Sequence, residues 1–238
     1  MEQTGDSLEG RVGLVTGASR GIGRAVALRL AAEGAHLIVT ARTQGALEEL
    51  DDEIRTIGAS ATLVAADLTD FATIDRMGAA VFERYQRLDI LIGNAAMLGA
   101  LSPLGHIDPQ TWDQVMAVNL TANWRLIRSF DPLLRTSAAG RAIFVTSRAA
   151  HMAAPYWGAY AVSKAALEAM VLTYAGEVNK TEVRVNLVDP GATRTALRAQ
   201  AFPGEDPEKL KTPESIAGLF AELASPRSTR HGEVVRAD

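Results

Sequence analysis

Short runs of Val, Ile and Leu alternate along this chain with stretches whose apolar residues recur every three or four positions. The first run, Val12–Thr16, predicts a buried strand, and Ile22, Val26 and Leu30 predict a helix over Ile22–Glu33. Gly34 ends that helix, because glycine tolerates a left-handed cap. Strands are predicted at His36–Thr40, Thr62–Ala66 and Asp89–Ile92, with helices at Ala46–Ile57 and from Asp70 to Tyr85 between them. Pro109–Leu134 reads as one long helix with Asp108 as its N-cap and Pro109 at its first position, its last turn perturbed by Pro132. Strands at Ala142–Thr146 and Val183–Val188 bracket a helix at Tyr156–Asn179. A helix at Glu214–Ala224 and a short strand at Glu233–Val235 close the pattern.

Strands that are continuous apolar runs are buried on both faces. Alternating with helices, they predict a parallel sheet with helices on either side. No shift of composition divides the chain, so residues 1–238 are expected to form one α/β domain, with residues 1–9 as a flexible tail. Arg194–Pro213, rich in Pro, Gly and charge, is a long loop of the kind that often carries function.

Composition narrows the chemistry. The 238 residues include no cysteine, which excludes a disulfide scaffold, a catalytic thiol and Cys-ligated metal sites. The net charge is −4 with no basic run, so neither nucleic acid nor an anionic membrane is expected as a partner. No basic segment followed by an apolar stretch opens the chain, and the uncharged run Ile90–Ile107 is interrupted by Gly and Pro, so a cytoplasmic protein is expected. The four histidines, 36, 106, 151 and 231, show no metal-ligand spacing, and no metal is expected. Of the 24 basic residues only four are lysines: Lys164, Lys180, Lys209 and Lys211.

Two groups of residues carry candidate chemistry. Thr16-Gly17-Ala18-Ser19-Arg20-Gly21-Ile22-Gly23 follows a predicted strand and opens a predicted helix, the setting that a dinucleotide site requires. There Gly17 permits a tight turn, Gly21 lets the backbone approach a pyrophosphate, and Gly23 lets the helix pack closely. The helix N-terminus would offer free N–H groups to the phosphates. An NAD site usually has an acid about 20 residues after the glycines, to bond the ribose hydroxyls. Here the second strand ends in Thr40-Ala41-Arg42. A guanidinium suits a 2′-phosphate, so Arg42, with Arg20, favours NADP(H) over NAD(H).

The second group centres on Tyr160 and Lys164, the only Tyr-x-x-x-Lys in the chain, which share one helix face. An ammonium near a phenol is expected to lower the phenol's pKa toward the working pH, making Tyr160 a general acid or base. Ser147, at the end of the fifth predicted strand, falls on the sheet edge where ligands bind in parallel α/β folds. Its hydroxyl is placed to hold a substrate oxygen that Tyr160 protonates.

Thr16–Gly23, Ala66-Asp67-Leu68, Gly93-Asn94-Ala95-Ala96, Asn119, Ser147, Tyr160-x-x-x-Lys164 and Pro190-Gly191 occur in an order and spacing that resemble the short-chain dehydrogenase/reductase family, in its compact single-domain branch. The resemblance implies a Rossmann-like, doubly wound three-layer fold with strand order 3-2-1-4-5-6-7. It implies that Asp67 and Leu68 hold the adenine, and that Asn94 and Ala95 border the ribose and the middle of the cofactor. Lys164 would also hold the nicotinamide ribose, and Asn119 a water that links Lys164 to solvent. Pro190, Gly191, Thr193 and Thr195 would surround the nicotinamide end, with residues 192–213 as a substrate lid. Where the family commonly has Asn-Asn-Ala-Gly, this chain has Ala96, which takes positive φ less readily than Gly, so a different local backbone is expected. The chain stops at Asp238 soon after HGEVVR, so a shortened C-terminal strand and tail are expected.

Arg148, His151, Met152, Pro155, Tyr156 and Trp157 are expected to wall the substrate pocket, with His151 as a bystander, and Arg194 and Arg198 as a solvated face of the lid. The whole predicts hydride transfer between NADP(H) and a carbonyl or secondary alcohol, such as a 3-oxoacyl or other ketone, with Ser147, Tyr160, Lys164 and Asn119 as the catalytic set. A homodimer or homotetramer is expected, since the helices holding Asn119 and Tyr160 resemble a common subunit contact of the family. The alternatives are a dinucleotide-binding sensor without turnover, an NAD-preferring dehydrogenase, and epimerisation or dehydration with a tightly held cofactor.

Overall fold

The computed structural model describes residues 8–237. Its strands are β1 (Val12–Thr16), β2 (His36–Ala41), β3 (Ala61–Ala65), β4 (Ile90–Gly93), β5 (Arg141–Val145), β6 (Arg184–Asp189) and β7 (Glu233–Arg236). They form one seven-stranded parallel sheet in the order 3-2-1-4-5-6-7. Every residue of β1, β4 and β5 is buried, as their unbroken apolar runs require. The final strand is formed, and it pairs with β6 from Glu233 to Arg236.

The helices are α1 (Gly21–Ala32), α2 (Gln44–Thr56), α3 (Phe71–Tyr85), α4 (Pro109–Met116), α5 (Ala122–Thr136), α6 (Ala149–Met152), α7 (Gly158–Val178), α8 (Ala196–Ala201) and α9 (Pro213–Ala224). Successive strand residues point to opposite faces, and two cores result. Val15, Val39 and Ile92 meet α1, α2 and α9 through Val26, Leu50 and Phe220. Leu14, Ile38 and Leu91 meet α3, α5 and α7 through Met77, Phe130 and Leu167. Burying each such side chain contributes about 2 kcal/mol before entropy is counted. Chain order reverses between β1 and β4, so the connections leave the sheet in opposite directions there and open a crevice at its carboxyl edge.

Three differences from the sequence reading matter for the site. The long helix is not uniform. Between α4 and α5, Ala117–Thr121 widens into a π-helical turn that turns Asn119 inward, fully buried. The Asn119 carbonyl accepts from Asn123 Nδ2 at 2.8 Å, and its side chain bonds Met97 N, Met97 O and Ser163 Oγ at 2.9 Å each. Ser163 in turn donates to the Tyr160 carbonyl at 2.8 Å. Asn119 is thus a clamp between the segment after β4 and α7.

Second, α7 begins at Gly158 rather than Tyr156, because Tyr156 has φ +72° and Ala153 φ +45°, which no right-handed helix accepts. The short α6 occupies part of the preceding loop. Third, Leu8 is anchored rather than part of a flexible tail. Residues 1–7 lie outside the described residues, but Leu8 is fully buried and its N–H donates to the Glu33 carbonyl at 2.8 Å.

Replacing Asn119 by Ala removes the side-chain partner of the partly buried Met97 carbonyl and N–H and one donor to the Ser163 hydroxyl, which keeps its bond to the Tyr160 carbonyl. The expected cost is about 3 kcal/mol, read as a lower urea midpoint at unchanged slope.

Candidate active site

The crevice is a cleft of about 440 Å³ that runs from the glycine turn to the N-terminal part of α7. Its floor is tied by one hydroxyl. Thr16 Oγ1 donates to the Ile92 carbonyl at 3.1 Å and accepts from the N–H groups of Asn94 and Ala95 at 3.0 and 3.1 Å. The Asn94 amide donates back to the Thr16 and Gly17 carbonyls at 2.9 and 3.2 Å. The ends of β1 and β4 are therefore locked together where the sheet would otherwise part.

The glycines answer to this crowding. Gly17 has φ +64°, and a Cβ there would lie 2.9 Å from the Ala95 Cα. At Gly23 a Cβ would fall 2.3 Å from the Gly17 carbonyl oxygen, so α1 packs directly on the turn. Arg20 precedes α1 in extended conformation without a side-chain cap, which leaves the first N–H groups of the helix to a ligand.

Most residues singled out in the sequence line this cleft. Gly17, Ser19, Arg20, Gly21 and Ile22 form one end, followed by Arg42, Asp67 and Leu68 at the ends of β2 and β3. Asn94 and Ala95 form the middle, and Ser147, Tyr160, Lys164, Pro190, Gly191, Thr193 and Thr195 the other end. Of the residues expected to hold the cofactor or do the chemistry, two do not line it: Gly23 lies behind the turn, and Asn119 is buried in its clamp; of the expected pocket wall between Ser147 and Tyr160, only Trp157 lines it, and Arg148, His151, Met152, Pro155 and Tyr156 do not. Hydrogen bonds from the Thr69 N–H and hydroxyl hold the Asp67 carboxyl below its ordinary pKa, helped by the charge of Arg42. Ala96 is not among the positive-φ residues, so its methyl is accommodated without strain.

At the α7 end, the Ser147 side chain faces the Tyr160 phenol, and Lys164 Nζ donates to the Val145 carbonyl at 2.8 Å. The ammonium lies 5.8 Å from the centre of the Tyr160 ring. The expected lowering of the phenol's pKa is not found. Burial pushes Tyr160 up to about 12, assisted by Asp189 and opposed by the Ser147 side chain. Burial likewise pushes Lys164 down to about 8, opposed by Glu168. Desolvation outweighs the neighbouring charges at both groups.

The sequence reading missed Asp189 and Glu168 and misjudged His151. His151 is no bystander: its Nε2 lies 2.8 Å from Glu168 Oε2, and the Thr146 hydroxyl donates to Glu168 Oε1 at 2.6 Å. The signal was present, since Tyr160, Lys164 and Glu168 follow at four-residue steps on one helix.

Residues 192–213, the expected lid, are more ordered than a long loop suggests. Thr193 bridges to Lys211, and the Arg194 N–H donates to the Lys211 carbonyl at 2.8 Å. Arg198 is not a solvated residue. It grips Glu205 through two 2.6 Å bonds and lies 3.8 Å above the Phe202 ring. Phe202 stacks on Trp157 at 5.6 Å, and Trp157 meets Tyr160 edge-on at 6.0 Å. With Leu197 and Ala201, these rings make the wall over Tyr160 apolar.

The sequence profile of the short chain dehydrogenases matches residues 11–206. The oxidoreductase YciK of Escherichia coli (strain K12) is 39% identical over 228 residues, covering 94% of this chain and 90% of YciK. A protein of Mycobacterium tuberculosis named as an NAD-dependent oxidoreductase is 36% identical over 211 residues, covering 83% of this chain and 76% of that one. The crystal structure of a short chain dehydrogenase from Shigella flexneri 2a complexed with NADP superposes with a TM-score of 0.93 at 37% identity, over 98% of both chains.

The Tyr160 shift has a stability signature. A phenol with a folded pKa near 12 and an unfolded pKa near 10 stabilises the fold fully below pH 10, and that contribution is lost as pH rises through 12. Relative to a Tyr160→Phe variant, the native protein is expected to lose roughly 1 kcal/mol by pH 11. Urea denaturation of both proteins at pH 9 and 11 checks this.

Proposed function

Because this chain belongs to the short-chain dehydrogenase/reductase family and is an NAD(P)-dependent oxidoreductase, we propose that it interconverts a carbonyl and a secondary alcohol with NADP(H) as its preferred cofactor. The observation that carries this reading is a single cleft with the glycine turn at one end and Ser147, Tyr160 and Lys164 at the other. The bound dinucleotide would supply or accept a hydride at its nicotinamide.

The chain's own residues do the rest. Gly17, Ser19, Gly21 and Ile22 bring backbone N–H groups to the pyrophosphate, where a Cβ at position 17 would not fit. Asp67 and Leu68 take the adenine, and Asn94 and Ala95 border the middle of the cofactor. Arg42, helped by Arg20, holds a 2′-phosphate at a strand end that carries no acid to repel it. Pro190, Gly191, Thr193 and Thr195 enclose the nicotinamide end under the lid of residues 192–213.

Ser147 holds the substrate oxygen and Tyr160 passes a proton to it. A phenol raised to about 12 keeps its proton at neutral pH, which suits a general acid for carbonyl reduction. Lys164 holds the nicotinamide ribose and favours the phenolate once Tyr160 has given up its proton. Asn119 supports the set by position: through Ser163 it fixes the backbone of Tyr160. The apolar wall of Trp157, Leu197 and Ala201 favours a substrate whose carbonyl sits on an uncharged body. Exposed Trp124 on α5 and Val162 and Leu172 on α7 support a homodimer through these helices.

A larger thermal shift with NADPH than with NADH at equal concentration is expected, and the reverse would favour the NAD-dependent mode named for the Mycobacterium relative. Arg42→Ala is expected to weaken NADPH by about 10- to 100-fold and NADH little, measured by titration calorimetry. Tyr160→Phe is expected to lower turnover of a carbonyl panel by at least about 1,000-fold while leaving NADPH binding within a few-fold. Turnover near the native rate would overturn the assignment of Tyr160.

A further inference from the structure

The row that begins with Tyr160 and Lys164 continues, four residues on, to a third ionisable group. Glu168 is 5% exposed, although carboxylates are seldom buried without a reason. Both of its oxygens are engaged: Oε1 by the Thr146 hydroxyl at 2.6 Å and Oε2 by His151 Nε2 at 2.8 Å. Thr146 immediately precedes Ser147, and His151 lies on α6 directly after it. The segment that presents Ser147 to the cleft thus also fixes a carboxylate one helical turn from Lys164. Lys164 itself is 1% exposed, and its Nζ donates to the neutral Val145 carbonyl.

We propose that Glu168 is a positioning residue of this site, whose carboxylate, held by Thr146 and His151, keeps the buried Lys164 ammonium charged. This rests on the role given above to Lys164. Residues four apart on a helix face are neighbours, and between them, with little water, opposite charges attract strongly. A buried ammonium with only a carbonyl partner loses its proton readily. Burial already pulls Lys164 down to about 8, and Glu168 opposes that pull. Without the carboxylate, Lys164 would become neutral within the physiological range and could no longer favour a phenolate. The other titratable groups facing the row are Tyr160 on α7 itself, His151 on α6 and Asp189 at the end of β6. The π-helical turn contributes the neutral Asn119. His151 is 59% exposed along its side chain, so it joins the buried carboxylate to solvent.

The scarcity of lysine makes a direct test practical. In protein labelled with 13C-lysine only four side chains report, and the Lys164 signal is identified by its loss in Lys164→Met. Its titration is followed by NMR in the native protein, in Glu168→Gln, which keeps shape and removes charge, and in Glu168→Asp, which keeps charge and withdraws it slightly. The Lys164 midpoint is expected near 8 in the native protein and at least about one pH unit lower in Glu168→Gln, with Glu168→Asp between them. A Glu168→Gln midpoint equal to the native one overturns the proposal. Should that variant not fold, Glu168→Asp decides on the same terms: a lowered midpoint supports the coupling and an unmoved one overturns it. A merely structural Glu168 would change stability without moving this titration. The measurement needs no substrate, so it is separate from the turnover test of Tyr160. If Tyr160→Phe retains turnover while the midpoint moves, the reaction assignment fails and the charge coupling stands; the opposite pair of results has the opposite meaning.

Discussion

A parallel sheet covered on both faces must divide its connections, and the strands on either side of that division have no crossover to hold their ends together. In this protein Thr16 does so. One buried hydroxyl closes three hydrogen bonds between the last residue of β1 and the residues at and just beyond the end of β4. The Asn94 amide reinforces it from the other side. The glycine turn, the floor of the cleft and the first turn of α1 all take their places from this junction. Gly17 and Gly23 are needed because it draws three backbone segments closer than a Cβ allows.

The far end of the cleft is built on a different principle. There the chain buries a phenol, an ammonium and a carboxylate in one row along α7. Burial disfavours the charged forms of Tyr160 and Lys164, and every member of the row has a specific neighbour: Ser147 beside Tyr160, the Val145 carbonyl at Lys164, Thr146 and His151 at Glu168. The Asn119 clamp keeps α7 in register with the segment after β4, so the two ends of the cleft face each other.

Much of this was legible in the sequence, and the reasons are physical. Strands buried on both faces are written as unbroken Val/Ile/Leu runs, and each predicted strand lies within about one residue of an observed one. The glycine spacing and the absence of an acid beside Arg42 are local facts, so the residues that gather at the nucleotide end could be named. What was missed depends on tertiary context. A π-helical turn changes hydrogen-bond partners without altering the apolar period enough to be seen, so Pro109–Leu134 read as one long helix and the clamp made by Asn119 was not seen. The Tyr160 shift was misjudged in sign because the pairing with Lys164 is visible in the sequence and the burial of both is not. The lid read as a solvated loop because nothing local announces that Arg198 finds Glu205 and Phe202.

The aromatic contact above Tyr160 has an optical consequence. Of the three tryptophans, Trp112, Trp124 and Trp157, only Trp157 borders the cleft, in edge contact with Tyr160 and tilted against Phe202. Its indole therefore samples both the occupant of the cleft and the placement of Phe202. The intrinsic fluorescence of the unlabelled protein therefore carries a signal from the Tyr160 end of the cleft, and following that emission in time would resolve the order in which the cleft is filled and the segment around Phe202 settles.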